Sequence, residues 1–192
     1  MERTFSRPRI VLSQCLELAA VRYNGERIED AFIRDLLPHV DVIPVCPEVG
    51  IGLGVPRDPI RLVAEHDGTH LIQPSTGRDL TPEMEGFARD FLTKLGPIDG
   101  FILKSSSPSC GIEDVKVRGG LEESSVIRRE AGLFAREVLE RFDDLVVESE
   151  SRLKDPEIRR HFLTRLFGLA DLRVLGKDVS PERLSPYPSE LM

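Results

Sequence analysis

Three cysteines, Cys15, Cys46 and Cys110, are the side chains of this chain with the most chemistry to offer. An odd number of thiols in a chain this long does not suggest disulfide staples. In a reducing compartment such cysteines are buried filler, metal ligands or nucleophiles. Any one of them, taken alone, reads as a small buried hydrophobe. Their placement argues for more. Each falls beyond the C-terminal end of a short apolar run: Arg9-Ile10-Val11-Leu12-Ser13 before Cys15, residues 40–45 before Cys46, and residues 100–104 before Cys110. Open α/β sheets bind ligands in the crevice at the carboxyl ends of their strands. Three loops on one rim can therefore bring three thiolates together, although 31 and 64 residues separate them along the chain.

Three thiolates can hold more than one metal. Zinc takes four ligands in structural sites and three in catalytic ones, with the last position open. No local CxxC pair, the usual mark of a structural zinc site, is present. An iron–sulfur cluster on three cysteines leaves one iron without a protein ligand. Such an iron can bind a substrate atom as a Lewis acid. The pattern alone does not choose between the two metals.

The flanking residues add to this. Glu48 lies two positions after Cys46, past Pro47, where a carboxylate can act as general base near a metal. In isolation it reads as a helix-start acid or a solvated charge. Ser105, Ser106, Ser107 and Ser109 lead into Cys110-Gly111, and such a loop can donate hydrogen bonds to an anion or to cluster sulfurs. In isolation it is a polar turn. Lys104, at the strand end, either offsets the negative charge of a thiolate-bound cluster or caps the sheet rim. His39, His66, His70 and His161 show no metal-ligand spacing. Gly50, Gly52 and Gly54 lack the spacing and the following helix of a dinucleotide loop.

These loops need elements to position them. Strands are expected near 10–13, 41–45, 100–104 and 144–147. Helices are expected over 28–37, stopped by Pro38, over 81–95, opened by Thr81-Pro82-Glu83, and over 123–142 with Ile127, Ala131, Phe134, Val138 and Leu139 at helical spacing. A last helix opens at Asp155-Pro156-Glu157, and an extended tail covers 177–192. Residues 60–64 and 69–73 flank Asp67-Gly68 and read as a hairpin, an insertion or edge feature. Short apolar strands alternating with helices imply a Rossmann-like α/β fold: a parallel sheet flanked by helices, with the cysteine-bearing loops at its C-terminal rim.

Composition narrows the function class. Hydrophobic residues make up 40% and charged residues 31%, enough for a packed core. The net charge of -7 argues against a strong nucleic-acid partner, which needs a basic face. No apolar run reaches the roughly 20 residues that cross a bilayer. The start has no signal-type apolar stretch. A cytoplasmic enzyme is the expectation.

The motifs resemble those of the thiouracil desulfidase family. The matching segments are 13–16 with 21–25, then 45–49 with 52–57, and 100–111, so that three ordered motifs carry one cysteine each. The resemblance covers about residues 8–150. It implies a 4Fe–4S cluster held by Cys15, Cys46 and Cys110, with its open iron taking the sulfur of a small thiolated pyrimidine such as thiouracil. It implies water attack without net redox change, assisted by Glu48 as the carboxylate and Ser107 as the serine. Arg22 and Tyr23 match a family motif and are expected in the substrate pocket, with Lys104, Ser105 and Ser109. Free 2-thiouracil, 4-thiouracil, a thionucleoside and a thiolated RNA base all present the same chemistry. The reading from another class is a non-catalytic iron–sulfur or zinc protein, a sulfur carrier or redox sensor. A metal-free cysteine hydrolase fits less well, since no histidine lies in the three motifs.

Two departures stand out. After Cys15 the chain has Leu16-Glu17-Leu18-Ala19-Ala20, where a glycine-containing turn is expected. Residues 151–192 read as a C-terminal helical extension and tail, the remnant of a linker to a second domain that is absent. Its helix is expected either to pack on the core or to serve a homodimer contact.

Overall fold

The computed structural model describes residues 6–120 and 125–176. The first strand, β1 (Arg9–Ser13), is buried along nearly its whole length. Residue 30 ends the next loop: Asp30 accepts the Ile33 N–H at 3.0 Å and caps α1 (Ala31–Leu36). A turn of 3-10 helix leads to β2 (Asp41–Val45), and α2 (Pro47–Gly50) is a single turn. Three strands follow, β3 (Arg61–Glu65), β4 (Gly68–Gln73) and β5 (Arg78–Asp79), and then α3 (Thr81–Lys94). Next come β6 (Gly100–Leu103), β7 (Val115–Arg118), β8 (Val126–Glu130), α4 (Leu133–Arg141) and β9 (Val146–Ser149). The last helix is α5 (Pro156–Leu175).

Strands β2, β1, β6 and β9 form one sheet in that order, with every pairing parallel. The fold is the expected α/β arrangement of a parallel sheet flanked by helices. Alternate side chains of β1 serve opposite layers, as the strand period of two requires. Ile10 and Leu12 pack with Ile33, Leu36, Phe162 and Leu166 on the α1/α5 side. Val11, with Phe101 and Leu103 of β6, packs with Met84, Ala88, Phe134 and Val138 on the α3/α4 side. Burial on both faces is why these strands read as unbroken apolar runs.

Asp155 caps α5 by accepting from Glu157 N at 2.8 Å and Ile158 N at 3.3 Å, with Pro156 at the first helical position. Near its other end, Arg173 donates to both oxygens of Asp99, at 2.8 and 2.9 Å, and so fastens the helix to the sheet.

The structure corrects three expectations. The segment 60–73 is no edge feature: β5-β4-β3-β7-β8 form a second, five-stranded sheet that joins the α3/α4 core through Leu62, Leu71 and Val117. The helix expected over 123–142 is only α4, because Val126–Glu130 pairs antiparallel with the open edge of β7. Residues 123 and 124 of that expectation lie outside the described residues, as does the 177–192 tail. The helix expected over 28–37 is shorter, because Ile28 instead bridges to Leu16. The fourth strand sits at Val146–Ser149. Among the described residues no helix is long and apolar enough to cross a membrane.

Candidate active site

The carboxyl ends of β1, β2 and β6, neighbours in the parallel sheet, open onto one cavity of ≈ 210 Å³. All three cysteines line it, together with Glu48, Arg57, Ser107, Arg22 and Tyr23. None of the cysteines is in a disulfide. Cys15 follows β1 in a loop tied to the next strand by a Gln14 N to Val45 O bond of 2.7 Å. Cys46 is the N-cap residue of the one-turn α2 but makes no capping bond with its side chain; its thiol donates to the Val21 carbonyl at 3.9 Å. Cys110 ends the serine-rich loop, with the Ser13 side chain beside its sulfur.

Burial sets the electrostatics of the thiols. It pushes Cys15 up to about 11, with the neighbouring Cys46 adding to the rise and Lys104 opposing it. Burial also raises Cys46, opposed by the nearby backbone N–H groups of Val49 and Glu48, and raises Cys110 further still. Uncharged at neutral pH, such thiols become ligands only when a metal displaces their protons. Among the described residues no three His, Cys, Asp or Glu side chains are placed to hold a single metal ion. Three cysteines from three loops around one cavity suit a cluster, whose ligands each bind a different iron.

The loop bearing Cys110 is held from several sides. Ser107 Oγ accepts from Ser109 N at 3.3 Å and Cys110 N at 3.2 Å, which leaves its own proton free to donate. Ser106 adopts the left-handed φ of 56°, held by Asp114, which accepts from its N–H and its hydroxyl at 2.7 and 2.6 Å. The entry to α4 clamps the far side: Gly132, Leu133 and Ala135 donate to the carbonyls of Gly111, Pro108 and Ser109. A Cβ on Gly132 would lie 2.6 Å from the Ser109 carbonyl, so only glycine fits.

Two ion pairs flank the cavity. Arg57 donates from Nε at 2.8 Å and from Nη2 at 2.7 Å to Oε2 of Glu48, whose Oε1 accepts from Ser109 Oγ at 3.2 Å. Lys104 Nζ donates to Glu150 Oε1 at 2.7 Å, to the Ser105 carbonyl at 2.6 Å and to Ser105 Oγ at 3.0 Å. Glu150 also accepts from Ser105 Oγ at 2.6 Å and from Ser105 N at 2.7 Å.

Of the residues singled out in the sequence, all but Ser109 line the cavity. Ser109 is wholly buried and donates to Glu48, so it is a partner of the carboxylate and not of a ligand. Lys104 and Ser105 reach the wall, but the three ammonium protons are engaged within the protein, which leaves a fixed charge and no donor for a ligand. Arg22 pairs with Glu26 at 3.0 Å and lies over the Tyr23 ring, 5.6 Å from its centroid. Sequence reasoning missed Arg57, Glu150 and Ser13. Glu150 directly follows β9, the same strand-end position that identified the cysteines. Arg57 lay inside a matched motif without a role. Gly50 packs against Phe87, where a Cβ would come within 2.2 Å of the ring, so close packing accounts for that glycine. His70 sits between Asp67 and Asp79, at 3.1 and 2.7 Å, away from the cavity.

Comparison with known proteins agrees with this geometry. The family model described as 2-thiouracil desulfurase matches residues 10–150. The YbbK protein of Bacillus subtilis (strain 168) is 34% identical over 109 residues, 53% of this chain and 72% of its own length. Among solved structures, the [4Fe-4S]-dependent thiouracil desulfidase TudS superposes with a TM-score of 0.63 at 28% identity, over 82% of this chain and 99% of its own. The chain belongs to the 2-thiouracil desulfurase family.

Proposed function

We propose that this protein is a 4Fe–4S-dependent desulfidase that hydrolyses the carbon–sulfur bond of a thiolated pyrimidine without net redox change. One observation carries the reading: three unpaired cysteines, a carboxylate and a serine from three separate loops line a single cavity. Cys15, Cys46 and Cys110 would hold the cluster. When bound, the cluster supplies an iron without a protein ligand, a Lewis acid suited to accept sulfur. Glu48 takes a proton from water as the water oxygen bonds to the carbon bearing sulfur. The carbon–sulfur bond then breaks, the water oxygen stays on the ring as a carbonyl after losing its second proton, and sulfur departs as sulfide with the two protons that the water gives up. Ser107, with its free proton, donates a hydrogen bond to the substrate. Arg22 and Tyr23 form the mouth that receives the ring.

The test is Glu48→Gln, prepared without oxygen beside the parent. The parent should carry iron and acid-labile sulfide in equal amounts and release sulfide from 2-thiouracil or 4-thiouracil. The variant should retain cluster absorbance while turnover falls by roughly a hundredfold, the scale for losing a general base. Full turnover in the variant would remove Glu48 from the reaction. A cluster-loaded parent that turns over neither compound would point to a sulfur carrier.

A further inference from the structure

Arg57 is nearly enclosed, its side chain only 6% exposed, and yet it borders the cavity. A guanidinium has five N–H donors in a rigid planar fork. Here Nε and Nη2 both reach Oε2 of Glu48, and Nη1 reaches the carbonyls of Val21 at 2.9 Å and Gly54 at 3.2 Å. Its backbone N–H adds a bond to the Tyr23 carbonyl at 2.8 Å. One residue therefore joins the loop that carries Arg22 and Tyr23, the glycine-rich loop and the carboxylate beside Cys46. Four of its five guanidinium donors are engaged within the protein, which argues against a direct hold on the ligand.

The two Glu48 oxygens are left unequal. Oε2 faces two fixed cationic donors. Among the described residues Oε1 faces only the Ser109 hydroxyl, which can rotate and give up its bond. We propose that Arg57 is a positioning residue of the reaction: it pins Oε2 of Glu48 and so leaves Oε1 as the oxygen that accepts the proton from water. The proposal rests on the reading of Glu48 as the base.

A double-mutant cycle tests it, using parent, Glu48→Gln, Arg57→Gln and the double variant, all loaded without oxygen. If Arg57 acts through Glu48, Arg57→Gln alone should lower kcat by roughly 10- to 100-fold, the cost of misplacing a reacting group. KM for 2-thiouracil and cluster absorbance should stay near the parent's. Added to Glu48→Gln, it should change kcat by less than about twofold, since neighbours acting as a unit are not additive. The urea midpoint of the double variant should likewise fall by less than the two single shifts together.

The same fold-loss in kcat on both backgrounds would overturn the proposal, and so would a raised KM with unchanged kcat. If Arg57→Gln does not fold, Arg57→Lys serves in its place; it keeps the charge but not the fork, and the same rule of coupling against additivity decides. The two ways of failing are distinct. Parental turnover in Glu48→Gln removes the base and this proposal together, whereas an inactive Glu48→Gln with additive Arg57 effects removes only the proposal.

Discussion

Glu48 lines the cavity and Glu150 holds two residues of its wall, Lys104 and Ser105; each is paired with a cation, and the two pairs differ in what they leave over. Glu150 is consumed: Lys104, the Ser105 hydroxyl and the Ser105 N–H take both of its oxygens. Glu48 is held on one side only, because Oε1 meets a hydroxyl able to donate or accept. Residue type and ion pairing do not separate a reacting carboxylate from a structural one. The nature of the remaining partner does. The serine loop joins the two, resting on Glu150 through Ser105 and on Glu48 through Ser109.

An amide in place of each carboxylate turns this difference into a measurement. At position 150 a glutamine presents a donor to an obligate donor in either orientation, and it strands the Lys104 ammonium. Glu150→Gln should therefore cost about 3 kcal/mol of stability, near the range for breaking a buried pair. Urea unfolding should show this, along with reduced iron per chain. A loss under about 1 kcal/mol would mean that Glu150 is not the buried anchor described here. At position 48 the amide can turn its oxygen to Arg57 and its N–H to the Ser109 oxygen. The same substitution there leaves the Arg57 guanidinium without its counter-charge but keeps its hydrogen bonds, so it should cost less, about 2 kcal/mol, with cluster loading kept and most of the damage in turnover.

Gly132→Ala leaves both carboxylates in place and moves the loop between them. Its Cβ would lie 2.6 Å from the Pro108 oxygen and from the Ser109 carbonyl. A loss of about 2 kcal/mol is expected, as for other overpacked sites. Iron content should fall with it, because Cys110 is the next residue. Normal cluster loading in this variant would show that the α4 clamp does not set the Cys110 position. The smallest effect belongs to Ser109→Ala, which removes one hydrogen bond to Glu48. It should cost about 1 kcal/mol, with kcat lowered less than tenfold and KM unchanged. A rise in KM instead would return Ser109 to the substrate-contacting wall.

The parallel sheet was legible because its central strands are buried on both faces and so are written as plain apolar runs, such as Ile10-Val11-Leu12 and Phe101-Ile102-Leu103. The second sheet was less legible. The alternation in Val115-Lys116-Val117-Arg118 has the period of a half-buried strand, but its partner β8 is exposed along nearly all its length and carries little pattern of its own. Ile127, Ala131, Phe134 and Val138 fall at helical spacing by position alone. Gly132, which ends the strand and opens α4, was the local sign against one continuous helix. At the site, the cysteines and Glu48 were legible from strand ends and motif. The partners that orient Glu48 were not, since Arg57 and Ser109 lie 9 and 61 residues away from it in the chain.

The loop after Cys15 carries a consequence for how this sequence can diverge. Glu17 adopts the left-handed φ of 62°, where a side chain costs about 1–2 kcal/mol relative to glycine. Its carboxylate offsets this by accepting from the N–H of Asp30, the N-cap of α1, and from Arg34 in the last turn of that helix, at 3.0 Å to Nη2. The glutamate is thereby entrenched: a glycine at 17 would relax the backbone but cut the tether between the Cys15 loop and α1. Positions 17 and 34 cannot be exchanged one at a time with those of a relative, whereas position 30 bonds Glu17 through its backbone N–H, which any residue but proline supplies. A grafted loop would carry its geometry only if Glu17 and Arg34 travelled together.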